Sequence, residues 1–195
     1  MQMSTQTNLR APRTSWPGWL LVCLLAAAVM LSGCGPQKDE ANRLYREADG
    51  ILADSVMPKV NEIDSLFSQA VTGSAKGDKA AVKTSLERAL ALIDEAVPEI
   101  EQAKSKVDKA VSLNISDSHR YFLEAKGRAL TALLGLEETR REAAVTLLAD
   151  PALEKQETLE KMAELRTAES RYSRELWQAE NEASSMNTGA GGNGE

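Results

Sequence analysis

The sequence predicts an all-α protein, an antiparallel up-down-up-down four-helix bundle of long helices with coiled-coil-like packing. Three observations carry that prediction. Alanine and leucine dominate while aromatic residues make up only 4% of the chain, which suits slender, closely packed helices better than a sheet. Apolar residues beyond the N-terminal segment recur at steps of three and four, the period of a buried helical stripe. Short punctuated stretches rather than long loops separate the stripes, as antiparallel neighbours require.

The first helix carries the stripe Ala41, Leu44, Ala48, Ile51, Val56, Val60, Ile63, Phe67, Ala70. Thr72-Gly73-Ser74-Ala75-Lys76-Gly77-Asp78 then breaks the pattern and offers Asp78 as an N-cap. The second stripe is cleaner: Val82, Leu86, Ala89, Ile93, Ala96, Ile100, Ala103, Val107, Ala110. Ser112 to Ser116 loosens it, and Ser116 is placed to cap a third helix from about Asp117 to Ala149. Asp150-Pro151 marks the next boundary, because the residue before proline avoids helical geometry and proline suits the first helical position. A fourth helix is expected to start there, with the stripe Leu153, Leu159, Met162, Leu165, Ala168, Tyr172, Leu176, Ala179, Ala183. The bundle therefore spans 41–183, with helices about 50 Å long, and 184–195, rich in Gly, Asn and Ser, is expected to be a disordered tail. The competing architectures are helical hairpins that do not close on each other and helices that complete their cores only in an oligomer.

Two patterns are superimposed on the stripes. Leu52 to Val60 aligns with Leu92 to Ile100, with Leu, Asp and Pro coincident, a hint of duplication, and Pro58 and Pro98 should each kink a helix or remove a backbone hydrogen bond. Gly127, Thr131 and Gly135 form a small-residue line along the third helix, a place for close packing or for a ligand groove.

The N-terminus has the layout of a secretory signal: a polar start with Arg10 and Arg13, an apolar run from Trp16 to Leu31 broken early by Pro17 and Gly18, then Leu31-Ser32-Gly33-Cys34. The run falls short of the roughly 20 apolar residues that cross a bilayer. Leu31-Ser32-Gly33-Cys34 resembles the lipobox of bacterial lipoproteins at all four positions. The resemblance implies removal of 1–33, diacylglycerol on the Cys34 thiol and an N-acyl chain on its freed amino group; several chains together anchor durably where one does not. Residues 34–40 would then be the lipidated cysteine and a short tether, reaching about 20 Å. Gly35, rather than Asp, follows Cys34, so the outer membrane is the expected destination in a cell that has one. Cys23 leaves with the signal, and no disulfide is possible within one mature chain. Loss of Arg10 and Arg13 takes the formal charge from −6 to about −8, a poor match to nucleic acid or bare anionic lipid.

Little in the sequence suggests chemistry. His119, the single histidine, lies beside Asp117, Ser118 and Arg120 and reads as a surface or capping residue. It has no second histidine for a metal or haem site, and Ser116 stands where the Glu of a di-iron Glu-x-x-His motif would be. No nucleophile elbow, phosphate loop or zinc-protease helix is present. The expectation is therefore no catalytic residue, metal or cofactor, with Cys34 as lipidation site and any ligand-binding residues unknown. The expected role is a non-enzymatic interaction or scaffold module of the cell envelope, bound to another envelope protein or to itself. The third helix, with Phe122, Leu123, Leu130, Leu133, Leu134 and Leu136, has the broadest apolar surface to offer. The alternative is a binding module that holds a small apolar ligand or lipid between its helices.

Overall fold

The computed structural model describes residues 37–150 and 155–189; the signal segment, Cys34 and the proposed helix start at Pro151 lie outside them. Every regular element among the described residues is helical: α1 (Lys38–Ile51), a π-helical turn (Leu52–Val56), α2 (Met57–Ala75), α3 (Lys79–Val111), α4 (Asp117–Ala149) and α5 (Gln156–Gly189). α1, the π turn and α2 follow without a gap and make up one arm, so four helical rods pack together.

Pro58 explains the π turn. It has no N–H, and its ring collides with the carbonyl four residues back, so the helix widens over Leu52–Val56 just ahead of it. Pro98 produces no such turn, and α3 runs through it as an α-helix. Ala96 and Ile100, both fully buried, flank it and hold the backbone to the core while one hydrogen bond is forgone.

The first turn is shorter than its composition suggests. α2 continues through Thr72, Gly73 and Ser74 to Ala75, because Gly73 lies against α3: a Cβ there would come within 3.2 Å of Val82 Cγ2. The chain turns at Lys76–Asp78 with Gly77 at φ 70°, a left-handed conformation that other residues adopt only at a cost. Asp78 caps α3 as expected, its Oδ1 accepting from the Ala81 N–H at 3.0 Å. α4 has the expected bounds, although the Ser116 hydroxyl lies 3.4 Å from Ser118 Oγ and makes no bond to the backbone of the first turn.

The last helix is described from Gln156 to Gly189. Ahead of this helix Asp150 Oδ2 accepts from the Lys155 N–H at 3.0 Å. The helix continues past Ala183 through Gly189, in the stretch expected to be a disordered tail. Ala183 is fully buried, so the helix is pinned at that point and propagates outward one hydrogen bond per residue.

Close backbone packing joins α1 and α2 to α3, α3 to α4, and α4 to α5, whereas the first arm and α5 have little close backbone packing between them. Partners along the first seam run in opposite numerical senses: Glu47 with Lys106, Lys59 with Glu99, Glu62 with Arg88. The main apolar cluster draws on all four rods, including Ala48 and Val56, Ile100 and Val107, Leu123 and Leu130, and Ala183. Tyr45 and Phe122 meet edge to face within it, ring centroids 5.3 Å apart. Two smaller clusters lie farther along, one around Ile63, Leu92 and Ile93 and one around Ala70, Val82, Leu86 and Ala144. Each fully buried Leu or Ile side chain stabilises the fold by about 1.5–3 kcal/mol.

The broad apolar surface of α4 is not on offer to a partner. Phe122, Leu123, Leu130, Leu133 and Leu136 are buried and Leu134 packs partly buried against the core, because α4 has neighbours on more than one side. No helix among the described residues is long and apolar enough to cross a membrane.

The cost at Gly77 is conformational, since a Cβ there would meet nothing within 4 Å. Gly77→Ala should lower stability by about 1 kcal/mol in urea unfolding, with Gly77→Asn costing less.

Candidate functional site

α4 is the helix around which the polar features are arranged. Its small-residue line divides in two. At Gly135 a Cβ would fall 2.3 Å from Tyr172 Cε1, so the glycine exists to let the ring of α5 lie against the α4 backbone. At Gly127 a Cβ would reach only ordinary contacts with Asp108 Oδ1 and Val107 Cγ1 at 3.7 and 3.8 Å. There the helices part into an open groove of about 650 Å³ between α3, α4 and α5.

The groove has a floor of Leu123, Gly127, Thr131, Ala132 and Ala179 and a charged rim. Thr131 turns its hydroxyl back to the Gly127 carbonyl at 3.0 Å, so the floor presents methyl groups and backbone rather than a free donor. On the rim Lys104 pairs with Asp108 at 2.7 Å and Arg128 pairs with Glu182. Glu124 and Glu175 add negative charge, the latter reached by Arg171 only at 3.8 Å. A small floor between charged walls suits the close approach of a helix better than it suits an apolar small molecule.

The opposite side of α4 faces the seam between the first arm and α5. Arg140, nearly buried, bonds Asp64 on α2 at 2.5 Å, Glu137 on its own helix at 2.8 Å and Glu169 on α5 at 3.4 Å. Glu137 is fully buried and its Oε2 has no partner. Burial pushes Glu137 above the ordinary carboxylate range, against the pull of Arg140, and partial burial does the same to Asp64. Nearer the start of α4, Lys126 bonds Glu180 at 2.5 Å, and its charge also acts on Asp49 of α1. Asp49 has a buried, unpartnered Oδ1 and is likewise raised by burial. Only the Arg140–Glu137 pair, three residues apart on one helix, was legible from spacing; the other partners lie on different helices.

A third cluster ties the π turn to α3. Lys59 Nζ lies 2.6 Å from Glu99 Oε2 and 3.1 Å from Ser55 Oγ, and Ser55 donates to Glu99 Oε1 at 2.8 Å. A serine beside a lysine resembles a nucleophile and its base, but the Ser55 proton is directed at Glu99 rather than at the amine. Glu99 is held below the ordinary carboxylate range first by its bond from Lys59, as an ionised helix-to-helix tie would be.

His119 is buried, correcting its assignment to the surface. It lies one turn before Phe122 on the inward side of α4, and burial followed by the charge of Lys38 lowers its pKa, keeping it neutral. Among the described residues no group of His, Cys, Asp and Glu is arranged to hold a metal ion. The chain matches no protein-family model, no curated protein and no solved structure.

Removing Arg140 should expose the cost of the carboxylates around it. Arg140→Met leaves Glu137 buried without its counter-charge and should cost about 3–5 kcal/mol in urea unfolding, with Glu137→Leu in the same chain recovering much of the loss. Gly135→Ala, which collides with Tyr172, should cost about 1–3 kcal/mol, and Gly127→Ala should stay within about 0.5 kcal/mol of the parent.

Proposed function

We propose that this chain is a lipid-anchored envelope protein acting as a non-enzymatic interaction module, with residues 1–33 removed as a signal and Cys34 carrying the lipid. The mature domain is an up-down-up-down antiparallel bundle with coiled-coil-like packing, and the opposed numbering of the ion pairs along the α1–α3 and α2–α3 seams supports that topology. The observation that carries the functional reading is the groove over Gly127, a small-residue floor between charged walls, on a chain whose N-terminus carries a lipobox-like Leu31-Ser32-Gly33-Cys34. Its occupant is a helix of another envelope protein or of a second copy. The same charged rim makes the alternative, a carrier of an apolar ligand or lipid, the weaker reading.

Intact-mass analysis of membrane-extracted protein should show loss of residues 1–33 and addition of acyl chains at Cys34, and Cys34→Ser should release the protein from the membrane fraction. A photo-crosslinker at Thr131 should give discrete adducts in the envelope where one at exposed Gln69 does not. A small apolar molecule retained in stoichiometric amount in native mass spectrometry would move the assignment to the carrier.

A further inference from the structure

The seam between the first arm and α5 is built against itself. At one level Arg140 bonds both Asp64 of α2, at 2.5 Å, and Glu169 of α5, at 3.4 Å, and at another Lys126 bonds Glu180 of α5 at 2.5 Å while its charge and that of Glu180 act on Asp49 of α1. α4 supplies a single cation to each level, Arg140 to the first and Lys126 to the second. Glu137 adds a further carboxylate at the Arg140 level, and Asp54 acts on Asp49 from its own arm. Carboxylates thus outnumber cations at both levels, and two of their oxygens, Asp49 Oδ1 and Glu137 Oε2, are buried without a donor. α3 contributes no charge that acts on Asp49, Asp64 or Glu137. Apolar residues of both sides, Ile51 and Leu52 of the first arm and Leu176 of α5, pack against the main core cluster.

Like charges close together at a poorly solvated seam repel, and little close backbone packing between the first arm and α5 is there to offset that repulsion. We propose that this seam is an acid-tightened joint, in which neutralising the seam carboxylates lets α5 seat more firmly on the first arm. The groups that take up the proton are identifiable. Asp49, Asp64 and Glu137 are all raised by burial, so they protonate before ordinary surface carboxylates as pH falls. Tyr45, at the Asp49 level, is pushed up by burial and by Asp49 and Glu180 and does not titrate in this range.

The sign follows from linkage. A carboxylate with a raised folded-state pKa contributes stability that is complete below its unfolded value of about 4 and is lost as pH rises through the raised folded value. The joint is therefore tighter in acid and looser once pH has risen through the raised folded values. His119 acts the other way: its lowered folded-state pKa favours the neutral ring, a contribution present above about 6.5 and lost on acidification. Global melting would mix the two effects, so the joint has to be read locally.

Hydrogen exchange on the full-length chain in detergent, corrected for intrinsic rates, separates them. Amides of α5 should exchange about 3- to 10-fold more slowly near about pH 4 than near about pH 7.5, with α3 as internal reference. Asp64→Asn with Glu137→Gln should confer the acid protection at neutral pH and flatten the pH dependence. If that variant lacks the parent's helical circular dichroism, Asp49→Asn with Glu180→Gln tests the other level in the same way. Equal α5 protection at both pH values, weaker protection in acid, or an unchanged pH dependence in a folded variant would overturn the proposal.

Discussion

A guanidinium that answers carboxylates on three helices sets the depth at which α4 sits. Arg140 cannot move outward without releasing Asp64 and Glu169, nor inward without burying more of its own charge, so the register of α4 against both the first arm and α5 is decided at that residue. Lys126 repeats the arrangement nearer the start of α4. Apolar packing between alanine-rich helices is tolerant of sliding; a few partly buried ion pairs are not. The burial of Glu137 beside Arg140 costs stability that a hydrophobic pair would not, and what it gives in return is a single alignment of the rods.

The two sides of α5 face opposite environments. One side, through Glu175, Ala179 and Glu182, forms a wall of the Gly127 groove; the other, through Glu169 and Glu180, forms a wall of the acidic seam. Any adjustment of α5 at the seam therefore also adjusts the groove. Tyr172 marks the place where that adjustment stops, because its ring is already pressed onto the α4 backbone at Gly135.

The parts of the fold that sequence patterns anticipated are those decided locally. The long stripe from Val82 to Ala110, the Asp78 cap and the bounds of α4 each follow from residues within a turn or two of one another. What escaped depends on neighbours far along the chain. His119 looks exposed among Asp117, Ser118 and Arg120, and is buried because α4 meets the beginning of α1 there. The apolar breadth of α4 resembles a docking face until its several neighbours are counted. The π turn could have been suspected from Pro58, yet Pro98 in a similar segment leaves α3 intact, so proline alone does not decide. The groove was half legible: the spacing of Gly127, Thr131 and Gly135 pointed to the right surface, but only Tyr172 shows which part of it is filled.

That each rod packs closely against the one preceding it in the chain has a kinetic meaning. The contacts of the first arm with α3, of α3 with α4 and of α4 with α5 close short loops, so a chain emerging N-terminus first can complete them in order and quickly. The pairings between the first arm and α5 join the most distant parts of the sequence, and they carry like charges. Assembly of the domain therefore ends where its electrostatics are least favourable, with the final helix arriving last at a place already prepared for it.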